Sequence, residues 1–320
     1  MKKTDAVELK THKSISKYSL VNKIGRGSTA DVWSAVDQDD LHVALKIYSK
    51  IKHLDKIAYQ LFKDEFEKTK LLRHPNVLSA QEFIIEDETP ILSFPLYESC
   101  LEKEIIRRKI EYLEKNIDNP SFFSNEDIFD IVRQVAEGLA YLHENNIIHN
   151  DIKPANIVFR KTDEGQVQCS IIDFGISLNL KNYTKNAYHK EIASSKTVVY
   201  AAPEKLNGVN TEPKSDIFSL GMVIYELAGG KNKSITAGDI VVKGGHIILE
   251  NRATKDPIQM LISACLKKDP QMRPDAKTLS YMIVSFQKSN NTKYLKYPKK
   301  SIFDFIKSKY NHLLKIFKNS

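Results

Sequence analysis

The stretch IIHNDIKPANIVF, residues 147–159, sets His149, Asp151, Lys153 and Asn156 within eight positions between two apolar runs. Pro154 and Asn156 punctuate it as a loop rather than a helix. A polar loop joining two buried segments would account for the polarity. It would not account for the choice of residues, which are four chemically capable side chains crowded together. What precedes and follows the loop decides between these readings.

The chain around the loop has 320 residues, enough for one large domain or two modest ones, and its 42% apolar content can build a sizeable core. Cys100, Cys169 and Cys265 lie far apart and form no CxxC pair. They point to neither a zinc site nor a disulfide framework and fit a reducing compartment. The first residues, MKKTDAVELKTHKS, contain no apolar stretch of the secretory kind, so no signal segment is expected. No run of about 18 apolar residues occurs, so no spanning helix is expected either. The net charge is +8, but residues 289–320 hold eight lysines and one Asp, which leaves the body close to neutral. The basicity belongs to the tail, and a nucleic-acid partner is not expected.

Residues 18–48 read as strands: YSLVNKIG, ADVWSAVDQDD and HVALKIY alternate apolar and polar positions with Gly and Asp-Asp turns between them. Residues 55–72 have helical periodicity, with Leu61, Phe62, Phe66 and Leu72 on one side. Strand patterning returns from Asn76 to Tyr97, and helices dominate from about residue 100. Residues 125–146 form a long amphipathic helix, and residues 215–230 are apolar almost all round, as a buried helix is. Residues 289–298 read as a linker.

Five further motifs carry chemistry. IGRGSTADVW, residues 24–33, sits between two strands, where Gly25 and Gly27 free the backbone to approach an anionic ligand. A Gly-rich hairpin turn is the plain alternative. VALK places Lys46 at the end of an apolar strand, where a buried-side ammonium needs a partner charge. Glu65 on the following helix is the candidate; Glu67 lies about 200° round that helix and cannot face the same way. IIDFG (171–175), TVVYAAPEKL (197–206) and KKDPQMRP (267–274) complete the set.

In this order the motifs resemble the eukaryotic-type, or Hanks-type, Ser/Thr protein kinase family, over roughly residues 18–287. The resemblance implies an α+β, protein-kinase-like bilobal fold: a small β-rich N-lobe with one main helix and a larger, mostly helical C-lobe. The divisions would be an N-terminal extension (1–17), N-lobe and hinge (18–97), C-lobe (98–288), and a basic linker with an amphipathic helix (289–320). It implies an ATP-dependent enzyme acting on Ser/Thr hydroxyls of a protein substrate, with Mg²⁺. Asp151 would accept or orient the substrate hydroxyl proton, Lys153 would stabilise the migrating phosphoryl group, and Asn156 and Asp173 would hold Mg²⁺. Ile24, Gly25, Gly27, Val32, Ala44, Lys46, Glu65, Pro95 and Tyr97 would bind ATP. Lys46, held by Glu65, would contact the α and β phosphates. Val32 and Ala44 would roof the adenine, and the hinge would offer the Pro95 carbonyl and the Tyr97 N–H. Phe94 falls at the gatekeeper position. His149, Asp216 and the Arg273–Glu204 pair would be structural. Lys153 and Thr197 favour Ser/Thr over Tyr acceptors.

Some positions depart from the pattern. Ala30 replaces a third Gly, and Lys196 stands where a Gly is usual. Asn150 stands where the family usually has an Arg that pairs with a phosphorylated activation segment. An uncharged Asn cannot neutralise a phosphate, so activity is expected without phosphorylation of Thr184, Ser194 or Ser195. Two other functions stay in view: a silent pseudokinase that serves as a binding module, and a kinase of small molecules. The presence of Lys46, Asp151, Asn156 and Asp173 speaks against the first. The peptide-binding motifs at Thr197 and Arg273 speak against the second.

Residues 302–318, IFDFIKSKYNHLLKIFK, divide into an apolar and a polar half on a helical wheel, with Lys309 the sole intruder. Three coverings for the apolar half stay open: the catalytic domain itself, an acidic membrane surface, and a partner protein. The expected location is cytoplasmic, with peripheral membrane contact through residues 301–318 as the sharper reading.

Overall fold

The computed structural model describes residues 14–26, 30–48, 63, 66–67, 70–114, 123–173, 199–206, 211–228 and 256–290. The chain divides into two compact units, Met1–Leu72 with Leu78–Tyr97, and Arg73–Val77 with Glu98–Ser320. The division after Tyr97 is where the hinge was read. The short Arg73–Val77 segment joins the second unit, although it falls inside the span read as N-lobe.

The first unit is an antiparallel sheet of β1 (Ser14–Ile15), β2 (Tyr18–Arg26), β3 (Asp31–Val36), β4 (His42–Ile47), β5 (Glu82–Glu86) and β6 (Thr89–Pro95), in the order β1-β2-β3-β4-β6-β5. The alternation in HVALKI sends Val43, Leu45 and Ile47 to one face, where they pack with Tyr18, Leu20, Ala35 and Ile91. The Asp-Asp turn between β3 and β4 is closed by Asp37, whose Oδ1 accepts the Asp39 and Leu41 N–H groups, each at 2.9 Å. Tyr18 donates its hydroxyl to Glu82 at 2.6 Å, which ties β2 to β5 and draws the two sides of the sheet together. The tail end of the extension read at 1–17 belongs to this sheet, because a tight turn with Ser16 at φ 52° returns Ser14–Ile15 onto β2. Lys63, Phe66 and Glu67 are helical, and Phe66 packs on Phe83 with ring centroids 6.0 Å apart.

Strand patterning read from Asn76 sets in only at Glu82. The reason lies in the second unit. Asn76 donates its side-chain amide to the Cys169 carbonyl at 2.7 Å, its own carbonyl accepts the Ile171 N–H at 2.9 Å, and Val77 bridges Ile171. The His-Pro-Asn turn is therefore fastened to β9 rather than extended into the first sheet.

The second unit contains β7 (Ser99–Cys100), α1 (Leu101–Glu114), α2 (Asn125–Glu144), β8 (Ile157–Lys161), β9 (Val167–Ile171), α3 (Pro203–Leu206), α4 (Pro213–Leu227), α5 (Pro257–Cys265) and α6 (Ala276–Asn290). The small β7-β8-β9 sheet is an addition to the helical reading of this region. Ser124 and Asp127 form a reciprocal capping box that starts α2. Its apolar stripe, including Ile128, Val132, Val135, Leu139 and Leu142, is fully buried. In α4 every residue from Ser215 to Ile224 is buried, as its unbroken apolar character predicts. α6 runs to Asn290 and so takes in the first two residues of the linker reading. The amphipathic segment 302–318 lies outside the described residues.

Gly138 on α2 lies against the His-Pro-Asn turn: a Cβ there would stand 2.6 Å from the Asn76 carbonyl oxygen. That oxygen is main chain and already bonded to β9, so it cannot step aside. Gly138→Ala should therefore destabilise the protein by ~1–3 kcal/mol through overpacking, against a helix-propensity gain of at most ~1 kcal/mol. A urea unfolding midpoint that drops at constant m-value is the expected reading. An unchanged midpoint would show that the turn is free to move.

Candidate active site

The loop at 147–159 is shaped by a single buried carboxylate. Asp216, in the first turn of α4, is 1% exposed. It accepts the His149 N–H at 2.9 Å and the Asn150 N–H at 2.7 Å, and it contacts His143 Nε2 at 2.9 Å. The negative charge also suits the N-terminal end of a helix. Asn150 turns through φ 64°, a left-handed conformation that Asn tolerates better than most residues. The bracing role read for Asp216 is thus realised through two consecutive amides.

His149 is buried and works through both ring nitrogens. Nδ1 accepts the Asp151 N–H at 3.2 Å, so the ring proton sits on Nε2, which donates to the Ile172 carbonyl at 2.9 Å. Burial pushes its pKa down, and the neighbouring Asp216 and Asp151 charges do not reverse this. A neutral imidazole with both nitrogens committed to main chain is a scaffold.

Asp151 Oδ2 accepts from Lys153 Nζ at 2.8 Å and from Asn156 Nδ2 at 3.1 Å. Asn156 Nδ2 also donates to the Asp151 carbonyl at 2.8 Å. The Asn156 amide nitrogen is therefore turned toward Asp151, which presents its oxygen the other way. β8 begins one residue later, and Ile157 pairs with Ile171 of β9. Beyond that pair the Ile172 N–H bonds the Asn156 carbonyl at 3.0 Å. The next residue, Asp173, takes φ 67°. Asp151, Lys153, Asn156 and Asp173 are thus gathered around one strand pair, and His149 ties the two sides of it together.

Among the described residues no group of three or more His, Cys, Asp or Glu converges as a metal cage. Beside this strand pair stand the carboxylate of Asp173 and the amide of Asn156. A hard cation that keeps several waters and takes its remaining ligands from phosphate fits such a partial set, and Mg²⁺ is that kind of cation.

α3 is the end of the TVVYAAPEKL motif and is clamped at Glu204. Arg273, whose side chain is fully buried, grips both Glu204 oxygens at 2.7 and 2.9 Å, and Ser215 adds a third bond at 2.7 Å. Burial alone would raise the Glu204 carboxyl, but the Arg273 and Ser215 hydrogen bonds outweigh it and hold the pKa below its usual range. The remaining Arg273 donors go to the carbonyls of Lys214, Lys267 and Lys268.

In the first unit, strand register places several nucleotide-binding candidates in line. Gly25 pairs with Val32, Val32 with Lys46, Lys46 with Leu92, and Ala44 with Phe94. Direct partners and alternate residues share a face, so Gly25, Val32, Ala44, Lys46 and Phe94 lie together on the face opposite the Val43–Leu45–Ile47 core. Ile24 lies at a register shift in β2, and Pro95 pairs with Val43 at the end of β6. Lys46 is half-buried with its Nζ 5.4 Å from the Tyr48 ring centre. Tyr97, also half-buried, ends the unit. Gly27 and Glu65 lie outside the described residues, as do Lys196, Thr197 and the segment with Thr184, Ser194 and Ser195. Sequence reasoning missed His143, the last residue but one of α2, and Lys205, which directly follows the Glu204 it did single out.

The neutral state of His149 has a pH signature. Below about 6.5 an unfolded imidazole takes a proton that the folded one refuses, so the unfolded state binds more protons and stability falls as pH falls. The thermal midpoint should drop between pH 7 and pH 5, and drop less in His149→Gln. Parallel profiles for the two proteins would remove His149 as a cause.

The comparisons agree with this geometry. The protein kinase domain family matches residues 18–282. The chain is 27% identical over 282 residues to the serine/threonine-protein kinase PkaA of Streptomyces coelicolor, covering 83% of this chain and 49% of that protein. It is 33% identical over 216 residues to calcium-dependent protein kinase 4 of Plasmodium berghei, covering 67% and 37% respectively. With the serine/threonine-protein kinase PrkC of Bacillus subtilis the identity is 27% over 262 residues, covering 79% and 38%. The chain therefore spans about half or less of the length of these relatives. Among solved structures, a double-mutant PknI kinase domain from Mycobacterium tuberculosis matches with a TM-score of 0.60 at 19% identity, over 87% of this chain and 98% of that one.

Proposed function

The chain belongs to the protein kinase domain family, and from that membership we propose that it transfers the γ-phosphoryl group of ATP to Ser or Thr hydroxyls of protein substrates. The observation that carries the reading is the Asp151–Lys153–Asn156 cluster beside Asp173, on a loop whose backbone is fixed by a buried carboxylate.

With Oδ2 engaged by two donors, Asp151 would meet the acceptor hydroxyl through Oδ1. It orients the oxygen and takes the proton as the new P–O bond forms and the bond to the ADP oxygen breaks. Lys153 stands at hydrogen-bond distance from the same carboxylate, where its ammonium balances charge on the transferring group. Asn156 and Asp173 would hold Mg²⁺, which would supply positive charge beside the transferring phosphate. Lys46 would contact the α and β phosphates, Val32 and Ala44 would cover the adenine, and the Pro95 carbonyl would accept from its amine. Pro serves there because only its N–H is missing. A silent binding module has no observation in its favour.

Asp151→Asn and Asp173→Ala should each lower transfer at least about a hundredfold in a radiolabelled ATP assay. Asp151→Asn should still bind Mg-ATP, because it keeps the metal-side residues. Near wild-type turnover in Asp151→Asn would sink the assignment, and phosphoamino-acid analysis dominated by phosphotyrosine would sink the acceptor class.

We also propose a cytoplasmic protein with peripheral membrane contact through residues 301–318. The apolar half of that segment needs a cover, and Lys293, Lys296, Lys299 and Lys300 precede it. Each such charge adds about 1 kcal/mol of attraction near an acidic surface. Full-length protein should co-sediment with acidic vesicles, less so at high salt, and a chain ending at Asn290 should not. Equal, low sedimentation of both would mean the segment is covered by the domain or by a partner.

A further inference from the structure

The peptide group that carries Asp151 is held at both of its polar ends. Its N–H, on Asp151, goes to His149 Nδ1 at 3.2 Å. Its carbonyl, on Asn150, accepts from Lys205 Nζ, a half-buried ammonium on α3. One residue back, the Asn150 N–H is fixed by Asp216. Among the described residues, Lys205 supplies the contact to this peptide from α3, at the end of the TVVYAAPEKL motif. Its own base is firm, because the neighbouring Glu204 is gripped by fully buried Arg273. Asn150 is 9% exposed, carries no charge, and its Oδ1 has no hydrogen-bond partner among the described residues. The cation at this corner of the loop thus comes from α3.

We propose that Lys205 is a positioning residue: its ammonium pins the Asn150–Asp151 peptide, and through it the aim of the Asp151 carboxylate. The contact makes the order of the loop depend on α3 being in place. A peptide plane left free at its carbonyl could rotate with the left-handed Asn150, whose φ of 64° is held by its neighbours rather than by its own preference. Rotation would swing Asp151 away from Lys153 and Asn156. A hydrogen bond from a charged donor to a carbonyl is among the stronger kinds, and stronger still where water is largely excluded. Because the charge is built into the chain, this support needs no added phosphate.

The proposal rests on the kinase reading for its catalytic consequence, but not for its structural one, and the experiment separates the two. In Lys205→Met, kcat should fall at least about tenfold while KM for ATP stays within about twofold, since the nucleotide contacts are elsewhere. Lys205→Arg, which keeps a cationic donor, should recover most of the loss. Hydrogen exchange of the 148–152 amides should accelerate at least about tenfold in Lys205→Met, and little in Lys205→Arg. Lys205→Gln replaces the Met variant if that protein shows no cooperative thermal melt. Unchanged exchange without the ammonium overturns the proposal whatever activity does, as does a kcat within about twofold of wild type. A wild-type protein that transfers no phosphate, with exchange still responding to residue 205, would overturn the proposed function and leave the tether standing.

Discussion

Everything chemical in the second unit hangs on the burial of Asp216. A carboxylate at 1% exposure is costly unless its oxygens are filled, and here they are filled by two successive main-chain amides and an imidazole. The satisfaction is mutual. His149 and Asn150 sit in a tight loop with no strand or helix to take their N–H groups, and Asp216 is the acceptor that lets that loop be buried. Helix α4, buried from Ser215 to Ile224, makes the carboxylate immobile. A rigid hydrophobic helix thus sets the position of a polar loop by presenting one charge to it.

The same chemical group serves four ends in this unit because its surroundings differ. Asp216 is given amides and becomes a brace. Glu204 is given a fully buried guanidinium and becomes an anchor for α3. Asp151 is given one ammonium and one amide, with its side chain 16% exposed, and under the proposed function it would meet the substrate hydroxyl. Asp173 follows Ile172, whose N–H and carbonyl are both bonded, and under the proposed function its carboxylate would face a cation. A survey of carboxylates by residue type would not separate these roles. Their donors do.

The strands of the first unit, α2 and the buried α4 were legible in the sequence, because each has a local signature: alternation, amphipathic stripe, a helix apolar almost all round. It also gave the roles of Asp216 and Arg273, through the resemblance rather than through pattern. What stayed hidden was long-range. Asn76 reads as a turn residue before a strand, yet its partners are 93 and 95 positions away at Cys169 and Ile171. The β7-β8-β9 sheet joins strands of two and five residues that are too short to announce themselves. Lys205 was passed over because a lysine on a four-residue helix is ordinarily solvated, and only its reach to Asn150 gives it a role.

Backbone strain marks the same place as the hydrogen bonds. Asn150 and Asp173 both take positive φ, at 64° and 67°, and they stand on either side of the strand pair that gathers the site. Left-handed backbone costs an ordinary residue roughly 1–2 kcal/mol, and Asn and Asp somewhat less. Such a conformation persists only where neighbours over-determine it. At Asn150 the neighbours are Asp216 on its amide and Lys205 on its carbonyl. At Asp173 they are Asn156 and His149, which hold the N–H and the carbonyl of the preceding residue, Ile172. The two strained residues are therefore linked through His149, which touches the Asp151 amide with one nitrogen and the Ile172 carbonyl with the other. A neutral, buried imidazole can do both at once, whereas a protonated one would lose its acceptor and release the Asp151 side. Keeping that tautomer requires that His149 stay buried, and its two nitrogens are then spent on the main chain.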